Sequence, residues 1–95
     1  MISYHEFYDA LGSQCDPSYT LRGGRSSAGA VDTTMIATMV AAGYTVVVPD
    51  YESPNLRWTI GKESAHAALD GIRAAQRFLR VPASTPVGLY GYSGG

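Results

Sequence analysis

Tyr44-Thr45-Val46-Val47-Val48 is a continuous β-branched run closed by Pro49-Asp50. A β-branched run without polar alternation predicts a strand of a parallel sheet covered on both faces. Immediately upstream, Met35, Ile36, Met39 and Val40 recur at i, i+1, i+4 and i+5. This spacing predicts a short amphipathic helix capped by Asp32, Thr33 or Thr34 and ended by Gly43, with Met35 and Met39 in the core. Downstream, Ala65, Ala68, Leu69, Ile72, Ala75 and Leu79 share one helical face, with Asp70, Arg73, Arg77 and Arg80 mostly off it. A second helix is predicted from about Lys62 to Leu79, stopped before Pro82. Residues 1–8 carry enough Ile, Tyr and Phe for a short strand, and Pro86-Val87-Gly88-Leu89-Tyr90 reads as a last one. Between the first strand and the first helix, positions 9–27 are rich in Gly, Ser, Asp, Pro and Thr, the composition of a loop.

The order strand, helix, strand, helix, strand amounts to two consecutive βαβ units. It predicts an α/β fold with three parallel strands and two right-handed crossover helices. Ninety-five residues allow one domain or part of one. Charged residues make up 16% of the chain, under the roughly 25% of an average soluble domain, which favours burial over disorder. A net charge of −1 provides no basic excess for nucleic acid or an anionic membrane surface. No apolar run reaches the roughly 18 to 20 residues of a bilayer span. His5, Glu6 and Asp9 fall where a signal peptide would be basic and then apolar, so no signal peptide is read here. The single cysteine, Cys15, has no CxxC or Cys/His companions, and no metal or cofactor is expected.

Chemistry enters at Gly91-Tyr92-Ser93-Gly94-Gly95, a G-x-S-x-G pattern directly after a predicted strand. In a nucleophile elbow the strand turns sharply and presents a serine hydroxyl from a strained backbone, and glycines two positions to either side let the chain double back. Ser93 is then the nucleophile and the Gly94 N–H one oxyanion donor, the second donor coming from the loop after the first strand. The bland alternative is a glycine-rich turn that only packs. A phosphate cradle would need a different glycine pattern, which is absent.

With these residues in place the chain resembles the secretory lipase family of α/β-hydrolases, which includes fungal and actinobacterial triacylglycerol lipases. The resemblance rests on Ser3-Tyr4 with Asp9, Cys15-Asp16-Pro17-Ser18-Tyr19, Gly43-Tyr44 with Val46-Val47-Val48-Pro49-Asp50-Tyr51-Glu52, Leu69-Asp70-Gly71-Ile72-Arg73-Ala74, and Gly91 to Gly95. It spans nearly the whole chain and implies a secreted ester hydrolase acting on lipid esters. It also implies that Asp9 is the other oxyanion residue and Cys15 half of a disulfide with a partner further along. Ser53 stands where the family usually has glycine. The family's catalytic acid and histidine follow the nucleophile, so residues 1–95 read as the part of one α/β-hydrolase domain that ends at the elbow.

Other residues have plainer readings. His66 lies on a helix surface, and His5 lies near the end of the first strand, where it could line the mouth of the site. Asp70 and Arg73 form a helix-face ion pair, Gly71 lets the helix approach the sheet, and Asp50 anchors a loop. Tyr51 and Trp58 either pack or contact an acyl chain. Two classes of function follow: a serine lipase or esterase, or a non-catalytic remnant or interaction module. A serine peptidase or acyltransferase on the same fold is a further alternative. Without a base beyond Ser93, residues 1–95 alone are expected to hydrolyse esters no faster than a Ser93→Ala variant. Three strands and two helices leave edges uncovered, so the chain should be marginally stable and prone to aggregate.

Overall fold

The structure, a computed structural model, describes residues 1–8, 12–23, 29–52, 55 and 60–95, with the backbone alone at 29 and 30. Three strands form one parallel sheet: β1 (Ile2–His5), β2 (Val46–Val47) and β3 (Gly88–Gly91). Their spatial order is β2-β1-β3, so the first strand in sequence is the central one. Ile2 pairs with Val46 on one side and Gly88 on the other, and His5 reaches Gly91 at the far end of β3. The α/β class with two crossovers is as the sequence predicts.

The connecting elements differ from expectation in instructive ways. Residues 9–27 are not loop throughout: a 3₁₀ turn spans Ser13–Cys15 and a one-turn helix, α1, spans Pro17–Thr20. Pro17 sits at the first helical position, where its fixed φ suits a helix and its missing N–H costs nothing. Helix α2 (Gly29–Ala41) begins earlier than predicted, placing Asp32 in its first turn instead of at the cap. The helix is not amphipathic in the expected sense. Val31 and Val40 are exposed, Met35 and Met39 only half-buried, and Asp32 is buried at 1% exposure because it serves a partner on β1. Gly43, at φ +95°, ends α2 with its N–H bonded to the Val40 carbonyl. The next amide, Tyr44, bonds back to Met39 and so lies outside the strand, and β2 is only two residues long.

Helix α3 (Gly61–Leu79) matches its predicted span to within a residue and ends on Arg80 in the left-handed region. Its buried residues are Ile72 and Gln76. A side chain at Gly71 would run into the Pro49 ring at 2.8 Å, so the close approach of α3 to the end of β2 requires glycine there. The Asp70–Arg73 ion pair is formed at 2.9 Å and is exposed. The apolar core among the described residues is mainly aromatic, Tyr4, Tyr8 and Tyr51 with Ile72. Coverage of the sheet is thinner than the sequence predicts: Val46 and Val47 are half-buried and all four residues of β3 are exposed, β3 being an edge strand here.

Candidate active site at the end of the third strand

Parallel strands β1, β2 and β3 end on one edge, and the G-x-S-x-G segment leaves β3 there. The Gly95 N–H bonds to the Tyr92 carbonyl at 3.0 Å and closes a turn around Ser93 and Gly94. Ser93 adopts φ +53°, a left-handed conformation that costs an L-residue roughly 1–2 kcal/mol. Its residue is exposed.

The two glycines have separate steric reasons. A Cβ on Gly91 would overlap the Gly95 carbonyl and stand 3.2 Å from the His5 Cβ. A Cβ on Gly95 would overlap the His5 carbonyl. The chain therefore doubles back against the end of β1, with no room for a side chain at either position.

Residues leaving β1 line the elbow. Phe7 packs on Tyr92 with ring centroids 4.8 Å apart, and Tyr4 stacks on Tyr90 at 5.1 Å. The buried Tyr4 hydroxyl donates to Asp32 Oδ1 at 2.5 Å. Burial, reinforced by that carboxylate, raises the Tyr4 phenol well above its ordinary pKa, so the hydroxyl stays a donor. His5 shares a 3.0 Å hydrogen bond between its Nε2 and Ser3 Oγ, and burial lowers its pKa towards the neutral ring. It lines an open cleft of about 390 Å³ between α3 and the elbow, together with Leu69, Ile72, Leu89, Gly94 and Gly95. His66 is exposed on α3.

The loops after β1 and β2 are tied together. Asp50 accepts the Ser18 N–H at 2.9 Å and the Ser18 hydroxyl at 2.6 Å, which makes it the loop anchor that its position suggested. The Glu52 N–H donates to the Tyr8 hydroxyl at 2.7 Å. Tyr51 is buried at 4% exposure, packs edge-on against Tyr8 (5.0 Å) and His5 (6.0 Å), and also lines the cleft. Cys15 is half-buried. Asp9, Ser53 and Trp58 lie outside the described residues. No group of three or more metal-ligating side chains occurs among the described residues, and none of their helices is long and apolar enough to cross a membrane.

Sequence reasoning passed over Glu6, Tyr8, Ser18 and the Tyr4–Asp32 pair. Asp32 did leave a signal, being an acid three residues before Met35 on the apolar stripe of α2. The arrangement as a whole presents an exposed serine on a strained turn, followed by a backbone N–H and flanked by the packed rings of Phe7 and Tyr92. Such a turn suits attack on a carbonyl carbon and stabilisation of the oxyanion formed.

The family model described as secretory lipase matches residues 24–95. A probable inactive lipase of Mycobacterium tuberculosis is 43% identical, and Lipase 1 of Candida albicans 37% identical, each over the whole of this chain and 22% of its own length. A secreted triacylglycerol lipase of Malassezia furfur is 36% identical over the same shares. Among solved structures, Candida antarctica lipase A in its closed state superposes with a TM-score of 0.87 at 35% identity, covering 99% of this chain and 23% of that one. The chain thus spans about a fifth of the length of the relatives it matches.

Proposed function

The chain belongs to the secretory lipase family, and from that premise we propose that it carries the nucleophile and oxyanion part of a serine carboxylic ester hydrolase acting on lipid esters. The observation that carries this reading is the left-handed Ser93 held between Gly91 and Gly95, neither of which has room for a side chain. In this reading Ser93 Oγ attacks the ester carbonyl. The Gly94 N–H and the Asp9 backbone N–H hold the oxygen that becomes negative, each such donor lowering the barrier by on the order of 3 kcal/mol. A general base takes the Ser93 proton and passes it to the leaving alcohol, and an acid orients that base. In this family's order both follow the serine, so His5, engaged with Ser3, and His66, exposed on α3, are left out of the triad. Residues 1–95 alone then turn over esters no faster than their Ser93→Ala variant. An extracellular place of action belongs to the same reading, supported by the family description and by the Malassezia relative named as secreted.

A second reading, a non-catalytic member, is favoured by one observation: the relative at 43% identity is named a probable inactive lipase. A chimera separates the two. The matching segment of Candida albicans Lipase 1 is replaced by this chain and the secreted product assayed on p-nitrophenyl octanoate. Activity that Ser93→Ala abolishes supports the hydrolase reading, whereas a folded, secreted chimera without activity supports the second.

A further inference from the structure

Near β1 lie two buried carboxyl groups that the chemistry above does not use: Glu6, which follows the strand directly, and Asp32, which is bonded to Tyr4. Glu6 is 4% exposed and Asp32 1% exposed. Asp32 Oδ1 takes the Tyr4 hydroxyl, but Asp32 Oδ2 and Glu6 Oε2 are buried with no hydrogen-bond partner. A buried carboxylate oxygen without a donor is unfavourable, and two ionised carboxylates in one dry space are worse still. The simplest relief is a proton on one of them. Glu6 is the residue to hold it, because Asp32 accepts the Tyr4 hydroxyl whereas no side-chain hydrogen bond reaches Glu6 Oε2.

The position gives that proton a consequence. Glu6 sits between His5, whose backbone lies against Gly95, and Phe7, whose ring packs on Tyr92. Residues 5–7 are thus the strip on which the elbow rests. We propose that Glu6 is a proton-operated latch: protonated, it lies buried beside Asp32 and holds residues 5–7 against the elbow, and on losing its proton to solvent it draws that strip away from the turn around Ser93. The groups bearing on Glu6 are Asp32 from α2 and Asp50 from the end of β2, both acidic, with Tyr4 of β1 tied to Asp32. In keeping with this, burial, then Asp32, then Asp50 push the Glu6 carboxyl from 4.5 up to about 7. The inference does not depend on ester hydrolysis, since it would hold equally in a non-catalytic member of the family.

The test is a carboxyl-carbon NMR titration of the 95-residue chain with amide exchange followed at Gly95, whose N–H closes the elbow turn. The latch predicts a Glu6 midpoint near neutral pH, with protection of Gly95 falling about tenfold in the same interval beyond the intrinsic effect of pH on exchange. Glu6→Gln, which keeps the size and neutrality of the protonated acid, should retain protection throughout. Asp32→Asn should bring the Glu6 midpoint down towards the ordinary carboxylate range. A wild-type Glu6 midpoint between 4 and 5 overturns the proposal, as does a neutral midpoint at which Gly95 protection stays unchanged. If Asp32→Asn does not fold, the wild type and Glu6→Gln decide between these outcomes.

Discussion

The hydroxyl of Tyr8 accepts the backbone N–H of Glu52 at 2.7 Å, joining residues forty-four apart in sequence across the ends of β1 and β2. Burial also raises the Tyr8 phenol above its usual pKa, so the neutral hydroxyl is the form that makes this bond. Tyr8→Phe keeps the ring contact with Tyr51 and removes only the acceptor. Leaving a buried N–H unsatisfied costs about 1–3 kcal/mol. Hydrogen exchange at the Glu52 amide should therefore speed up by about tenfold or more, while exchange within α3 changes little. An unchanged Glu52 rate would show that the bond does not join the two loops.

Glycine substitutions should sort by position. Gly91→Ala and Gly95→Ala place a methyl group into backbone, where no side chain can yield, and should cost several kcal/mol, seen as lost near-ultraviolet dichroism from Tyr92 and its neighbours. Gly61 meets nothing within 4 Å and opens α3, so Gly61→Ala should be neutral or stabilise by up to about 1 kcal/mol. Equal damage at Gly61 and Gly91 would contradict the steric account of the elbow.

Ser93 is held at φ +53°, which glycine adopts without penalty. Ser93→Gly should raise the melting midpoint of the folded chain by an amount equivalent to about 1 kcal/mol, and Ser93→Ala should not. A stability gain at Ser93 itself is the signature of stored backbone strain. Equal midpoints for the two variants would show that the turn is relaxed.

Buried Glu6 and half-buried His5 give stability opposite slopes with pH. Glu6 has its pKa raised from 4.5 to about 7, so between those values the folded chain binds more protons than the unfolded one. Its contribution is complete below pH 4.5 and is lost as pH rises to about 7, a change of order 3 kcal/mol. His5 has its pKa lowered from 6.5 by burial, so its contribution is present above that value and is lost as pH falls below it. Urea midpoints between pH 4.5 and 8 should show the falling limb in wild type and only the rising limb in Glu6→Gln. Identical profiles for the two proteins would remove Glu6 from the account.

In the chimera with Candida albicans Lipase 1, octanoyl esters should be turned over faster than acetyl esters at matched concentration. The cleft beside Gly94 and Gly95 is lined by Leu69, Ile72 and Leu89, and each methylene buried against such surfaces contributes about 0.8 kcal/mol. Faster turnover of acetate, or cleavage of peptide bonds, would favour the esterase or peptidase alternative.

The helices and the elbow were legible because their signals are local. The stripe from Ala65 to Leu79 repeats at helical period, and Gly91, Ser93 and Gly95 meet within one turn. What stayed hidden depends on partners far along the chain. Asp32 looks like a cap until Tyr4, twenty-eight residues away, claims its carboxylate. Ser18 is an ordinary loop residue until Asp50 is placed beside it. Tyr44 reads as part of the strand until its N–H is seen drawn back to Met39 by the helix ending. Pro17 is an exception, since proline after Asp16 is a local helix start, and α1 was open to prediction.

The central position of β1 also sets an order of events during synthesis. Its two hydrogen-bonding edges are completed by Thr45 to Val47 on one side and by Gly88 to Gly91 on the other. At about 5–20 residues per second, the ribosome needs roughly 4 to 17 seconds between finishing His5 and finishing Gly91. Throughout that interval Ile2 to His5 offers at least one open backbone edge flanked by apolar and aromatic side chains, so the growing chain passes through a period in which chaperone capture or mispairing competes with folding.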